Sequence, residues 1–381
     1  MLLPISNTPR DYAWGSTTLI AGLEGREPSG TPEAESWFGG YAGSPSRVDD
    51  GSGRTLDVAL ADAGEPALPY LLKLLAAASS LSIQAHPTKE QAVAGFARDE
   101  ERGIPRDAAE RTYRDDNHKP EIIVALSDTF RALVGLRPLA DTRRLVAALG
   151  DGAAVRALRD RLHGDDAPAV LRDTLSWALA GRAPVADIAA ALEWAAAPEF
   201  AAELDVYRRI AADFPGDAGL IVALLMNLVV LRRGEAVFAP AGVLHAYQDG
   251  LGVELMAASD NVLRGGLTPK HIDVAELLDV VDTTPGVVPT VAAHAIAPGV
   301  EAFDVPVPDF VLSRVTVAGS TVERPLTGAA IVLAVAGEVT VATADASVAL
   351  VPGRAAYVSA GERAVNLTGA GEVFVAEPGL G

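Results

Sequence analysis

Apolar and polar positions change rhythm twice along this chain of 381 residues. Up to about residue 90, short apolar runs alternate with Gly- and Pro-rich breaks, which predicts strands joined by turns. From about 140 to 231 the apolar residues recur at steps of three and four. Leu145, Ala148 and Leu149, then Val155, Leu158 and Leu162, lay one stripe along successive helices. From 234 onward, Val-rich segments separated by Gly, Pro and Asp predict strands again, with one helix over 269–281 opened by Thr268 as N-cap and Pro269. The apolar run 220–231 contains Asn227, is too short to cross a bilayer and predicts a buried helix. The plan is mainly β with an α-helical insert. It divides into a discontinuous unit over 1–135 and 232–284, the insert over 136–231, and a final unit over 285–381.

Within the returning β pattern, GEAVFAPAGVLH (residues 234–245) fits G-x5-P-x-G-x2-H. That spacing resembles the second signature of the cupin, or jelly-roll, β-barrel. Tight turns at the glycines and the proline would start a new strand with His245 facing the barrel interior. The tail repeats the spacing in GRAAYVSAGERA (353–364), with Ser359 in the proline slot and Ala364 in the histidine slot. Two cupin-like barrels plus a helical domain are therefore expected, the second barrel without a metal.

Composition narrows the chemistry. With 31 Lys+Arg against 50 Asp+Glu the net charge is −19, so a nucleic-acid or anionic-membrane footprint is not expected. An anionic substrate must be held by a few local cations. Cysteine is absent, which excludes disulfides, thiolate catalysis and Cys-based zinc sites. Any metal must sit on His, carboxylate or amide ligands. Lysine is scarce: Lys73, Lys89, Lys119 and Lys270 stand against arginine everywhere else. No basic segment followed by an apolar stretch opens the chain, and a cytoplasmic location is expected.

Three further segments carry candidate chemistry. In LSIQAHP (81–87) the residues Ser82, Gln84 and His86 are two apart and share one strand face. Such a polar face is costly unless something satisfies it, and with His245 nearby a metal is the better reading. In NHKPEIIV (117–124), Pro120 biases Lys119 towards extended backbone, and the apolar run carries Glu121 inward. The segment ELMAASDNVLRGGLTPK (254–270) offers Glu254, Asp260, Arg264 and Lys270, with two glycines leaving open backbone beside Arg264.

SIQAHP, NHKPE, APAGVLHAY and SDNVLRGGLTPK, in that order, resemble the type I mannose-6-phosphate isomerases. PRDYAWGS (9–16) and PEAESWFGG (32–40) resemble the same family. The likeness runs from about Pro9 to Ile272 and departs in Arg264-Gly-Gly, where Arg-Ala-Gly is common. It implies one Zn2+ per chain on Gln84, His86, Glu121 and His245, and an arginine required for isomerisation at Arg264. It also implies proton-transfer or orienting roles for Lys119, His118, Asp260 and Glu254. Trp14, Ser82, Lys89 and Lys270 are placed with the substrate-binding residues.

The ligand set makes chemical sense, because two imidazoles, a carboxylate and an amide oxygen suit zinc as a Lewis acid. Moving a proton between C2 and C1 of a phosphorylated hexose through an enediol also needs a base, and Lys119 desolvated beside a metal is a candidate. The expected function is interconversion of D-mannose 6-phosphate and D-fructose 6-phosphate by a monomer. An iron-dependent cupin oxygenase or a non-catalytic sugar-binding cupin module are the alternatives. Gln84 and the lysines speak against the oxygenase, and the binding module would leave Lys119, Glu254 and Asp260 without a purpose.

Overall fold

The computed structural model describes residues 1–379, and its strands form two large antiparallel sheets. The mainly β class with a helical insert is what the chain adopts. The first sheet gathers the strands between Glu35–Phe38 and Leu263–Arg264 and adds Thr290–Val291. The second gathers the strands from His294–Ala297 to Ala364–Glu377. It also takes in Leu2–Ser6, paired through Leu3↔Tyr357, and Arg47–Val48, paired through Ile5↔Val48.

Strand alternation explains how the sheets pack. In Tyr70–Ala77 every residue is buried, because both faces are covered. Leu72, Leu74 and Ala76 point into a core shared with Ile331, Leu333 and Phe374 of the second sheet. The alternate residues, Lys73 among them, therefore face the interior of the first sheet. The same division puts Ile122 and Val124 in the shared core and leaves Glu121 facing inward. The Tyr70 hydroxyl donates to the carbonyls of Ala329 and Ala376 at 3.1 and 2.9 Å, tying the sheets together.

The decayed repeat is visible in the backbone. Gly234 and Gly353 take φ of +85° and +81°, turns that favour glycine. His245 is the first residue of His245–Ala257, and Ala364 is the first of Ala364–Glu377. In the insert, Leu145, Leu149, Val155, Leu158 and Leu162 are all buried in one core.

Two expectations are corrected. The run 220–231 is not one helix: a helix Gly219–Leu225 gives way to a strand Met226–Leu231, paired antiparallel with Phe130–Leu136. A uniformly apolar run has no period to distinguish the two states. The neighbouring strand's unpaired backbone decides it. The helix expected over 269–281 spans only Val274–Val280, capped by Asp273, whose carboxylate accepts from Glu276 N at 3.0 Å. Thr268 instead closes a local turn, its hydroxyl accepting from Lys270 N at 3.2 Å. Lys270 thus gains nothing from a helix dipole.

Helix Lys89–Glu101 carries a packing test. A Cβ at Gly95 would lie 2.3 Å from the Tyr113 ring, which anchors the loop leading to Asn117 and Glu121. Gly95→Ala is expected to cost about 1–3 kcal/mol by overpacking. Thermal unfolding of the two proteins checks it, and an unchanged midpoint would contradict it.

Candidate active site

The site begins with a row across the first sheet. Gln84 pairs with His245 on one side and with Arg264 on the other. Directly opposed residues in an antiparallel pair share a face, so this register places Arg264, Gln84 and His245 side by side. Glu121 enters from Glu121–Ala125 and His86 from just past Gln84–Ala85. Ligating atoms of His86, Glu121 and His245 all lie within 4.8 Å of one another, and all three residues are buried.

Hydrogen bonding fixes what these atoms offer. His86 Nδ1 lies 2.7 Å from the carbonyl of Asn261, and His245 Nδ1 lies 3.0 Å from the carbonyl of Val243. A carbonyl only accepts, so each Nδ1 carries the proton and each neutral ring presents a lone pair at Nε2. Those lone pairs face the Glu121 carboxylate, with His245 Nε2 at 2.9 Å from Oε1 and His86 Nε2 at 3.4 Å from Oε2. Both Nε2 atoms and Glu121 Oε2 are buried without a hydrogen bond. Acceptors turned on acceptors in a dry site are unfavourable unless a cation joins them. The residues fit a divalent metal. Gln84 donates its amide Nε2 to Ser82 at 3.2 Å, leaving its carbonyl oxygen unspent.

Electrostatics prepare the same state. Burial, then the Lys119 charge, pushes the His86 imidazole down to about 4, so it is a neutral ligand at ordinary pH. Burial by itself would raise the Glu121 carboxyl, but the Lys119 charge opposes this and the carboxyl lies well below its usual range. Lys119 Nζ lies 3.1 Å from Glu121 Oε2, and the Tyr247 hydroxyl lies 3.3 Å from Oε1.

A second buried charge cluster faces the first across a cavity lined by Glu35, Lys73, Ser82, Gln84, Lys119, Glu121, His245, Tyr247 and Glu254. Lys73 Nζ lies 2.9 Å from Glu254 and 3.8 Å from Glu35, above the Trp37 ring at 5.0 Å. Trp37 Nε1 donates to Glu35 at 2.6 Å. Burial raises the Glu254 carboxyl, with Lys73 opposing it. Burial would push the Lys73 ammonium down, but Glu254 and Glu35 outweigh it and hold it up. Lys73, Glu35 and Tyr247 join the site although the sequence motifs assign them no role. A lysine inside a wholly apolar strand was the usable signal for the first, and the two-residue step from His245 for the last.

The remaining expected site residues lie at the margins. Arg264 borders a neighbouring cleft with Thr112, His271 and Asp273. Burial, then Arg114, lowers its guanidinium, and burial, then Arg264 and Arg114, lowers the Lys270 ammonium. Among the described residues no carboxylate contributes to either shift, although Asp273 borders the same cleft. The glycines after Arg264 are not open backbone, since a Cβ at Gly265 would meet Ile83 at 3.2 Å and one at Gly266 would meet Gly219 at 2.4 Å. His118 does not reach the cavity; its Nε2 pairs with Asp309 of the C-terminal region at 2.8 Å. Asp260 is exposed, its backbone N–H held by Asp115 at 2.7 Å. Lys89 donates to Asn117 at 3.1 Å on the exposed surface. Trp14 packs against the cluster that includes Leu75, Leu81 and Tyr247. No helix among the described residues is long and apolar enough to cross a membrane.

Comparison with known proteins gives one answer. Residues 2–139 match the type I phosphomannose isomerase catalytic domain, and residues 300–378 match the mannose-6-phosphate isomerase cupin domain. The chain is 36% identical to the mannose-6-phosphate isomerase of Salmonella typhimurium, over 96% of this chain and 97% of that one. It is 31% identical to the human enzyme over 90% and 89% of the two chains. A zinc-bound crystal structure of mannose 6-phosphate isomerase superimposes with a TM-score of 0.87 at 33% identity, covering 100% of both chains.

Proposed function

Because the chain belongs to the type I phosphomannose isomerase family, we propose that it interconverts mannose 6-phosphate and fructose 6-phosphate with one zinc ion held by Gln84, His86, Glu121 and His245. The observation that carries this reading is the convergence of three buried groups, the His86 and His245 Nε2 atoms without a hydrogen bond and the Glu121 carboxylate between them. When bound, zinc would supply a Lewis acid that stabilises negative charge on the sugar oxygens.

The chain's own residues divide the remaining work. Converting an aldose to a 2-ketose removes the C2 proton, passes through an enediol and returns a proton to C1. Arg264 opposes the negative charge that develops on O1 and O2. Two cavity groups can carry the proton, Glu254 and Lys119. Burial favours Glu254, because a carboxyl raised above its usual range is better placed both to take and to return a proton. Lys73 holds that carboxylate in place at 2.9 Å. Asp260, at the rim, is assigned to ring opening, whereas His118 is engaged by Asp309 and is assigned to holding the loop.

For the phosphate, Lys270, Arg264 and Arg114 form a local excess of positive charge in a chain of net −19, with Ser82 in the cavity wall and Lys89 and Trp14 as further substrate-binding candidates. Lys270→Met is expected to raise KM for the phosphorylated sugar about 10- to 100-fold and leave kcat within about threefold, as loss of a charged contact common to ground and transition states requires. Steady-state kinetics check this, and a kcat effect without a KM effect would move Lys270 into the chemistry.

For domain organisation we propose a catalytic barrel from 1–135 and 232–284, a helical insert over 136–231 and a metal-free barrel over 285–381. Leu2–Ser6, Arg47–Val48, Thr290–Val291 and Met226–Leu231 cross these limits to complete the neighbouring sheets. The function is tested by a coupled assay for fructose 6-phosphate, before and after chelation and zinc return. Full activity in metal-free protein, or none with zinc, would overturn it.

A further inference from the structure

Arg264 sits on the two-residue strand Leu263–Arg264, which is too short to orient an arginine unaided. The chain that follows is held on both sides. Towards the first sheet, Gly265 N donates to Ile83 O at 2.8 Å and Ile83 N donates to Gly266 O at 3.0 Å. Towards the helical insert, the backbones of Gly266 and Gly219 touch, a Cβ at Gly266 falling 2.4 Å from Gly219 Cα. The next residue, Leu267, has φ of +57°, the one positive value outside glycine among the described residues. Leucine is strained there, and such strain persists only where the surroundings over-determine it.

The determinant is a carboxylate from the insert. Asp217 Oδ1 accepts from Leu267 N at 3.0 Å and from Gly219 N at 2.7 Å, and Oδ2 accepts from Thr268 N at 3.2 Å. The Leu267 side chain is buried in a core shared by the insert, including the helix Gly219–Leu225, and first-sheet residues such as Ile83 and Leu263. One charged group therefore holds the first residue of that helix and clamps the turn three residues past Arg264. Asp217 lines neither the catalytic cavity nor the cleft beside Arg264.

We propose that Asp217 is the positioning residue for Arg264, and that the helical insert takes part in the reaction by clamping the arginine loop in its left-handed turn. The inference rests on the reading of Arg264 as the charge-stabilising residue. Without the Asp217 acceptors, Leu267 relaxes to negative φ, the turn reopens and the guanidinium loses its fixed aim. Misplacing a preorganised group by about 1 Å costs up to about 100-fold in rate.

The test is a double-mutant cycle on the zinc-loaded full chain: Asp217→Ala, Arg264→Ala and both together, with zinc content, melting temperature, kcat and KM measured for each. Asp217→Ala is expected to lower kcat about 10- to 100-fold, with a smaller rise in KM and zinc content nearly unchanged. Added to Arg264→Ala, it is expected to cost no more than about twofold. Asp217→Asn, which keeps the Oδ1 acceptor, is expected to recover part of the rate and serves if the alanine variant folds poorly. Equal losses in both backgrounds, or a kcat for Asp217→Ala within twofold of the parent, would overturn the proposal. A parental kcat in Arg264→Ala alone would overturn the role of Arg264 instead, and so separates the two failures.

Discussion

Glu121→Gln is expected to strip the zinc and lower isomerase activity by more than about 10³-fold, because several kcal/mol of Lewis-acid stabilisation disappear with the metal. Glu121 is the one anion among the proposed ligands, and its oxygens lie 2.9 Å from His245 and 3.4 Å from His86. The amide keeps the shape and removes the charge. It also leaves Lys119, 3.1 Å away and buried, without its carboxylate. Breaking a buried pair costs about 3–5 kcal/mol, so Glu121→Gln should melt lower as well. His245→Ala supplies the control: it removes a ligand but spares the Lys119–Glu121 pair, so metal and activity should go while stability changes less. Metal analysis after dialysis, beside a coupled assay, measures both. Retention of about one zinc per chain in both variants would sink the ligand assignment.

Arg264→Ala should keep the zinc and lose about 10²–10³-fold in kcat, the effect of removing one preorganised donor from a developing negative charge. Structure sharpens this expectation in two ways. Arg264 is paired with Gln84, which is itself paired with His245, so its position is built into the same sheet as the ligands. Burial and Arg114 already press its guanidinium down, so it is poised to gain from an incoming anion. Because Arg264 also belongs to the Arg114–Lys270 group, KM should rise, but by less than kcat falls. Added guanidinium ion should restore part of the rate only if the missing group acts in the transition state. Parental turnover in Arg264→Ala would remove it from the mechanism.

Local chemistry made the candidate ligands legible in the sequence. Residues two apart on a strand share a face, which grouped Ser82, Gln84 and His86. The glycine and proline spacing before His245 specified a turn and then a strand start. Both signals are short-range; the structure forms a strand only at Gln84–Ala85, with His86 just past it, and begins a strand at His245. The chain's two-fold change of rhythm likewise determined the fold class, because hydrophobic period follows directly from backbone geometry.

What only the tertiary structure decided is which distant segments complete each element. The run 220–231 carries no period, so the edge of Phe130–Leu136 split it into helix and strand. Thr268-Pro269 reads as a helix start, yet Asp217, 51 residues upstream of Thr268, takes the local N–H groups and leaves capping to Asp273. Glu35, Lys73 and Glu254 lie in separate segments, and Lys73 pairs with the two carboxylates only when Glu35–Phe38, Tyr70–Ala77 and His245–Ala257 lie side by side. His118 is drawn off by Asp309, 191 positions away. A buried charge is decided by the partners that desolvation forces upon it, and those partners come from whichever strands the fold brings together.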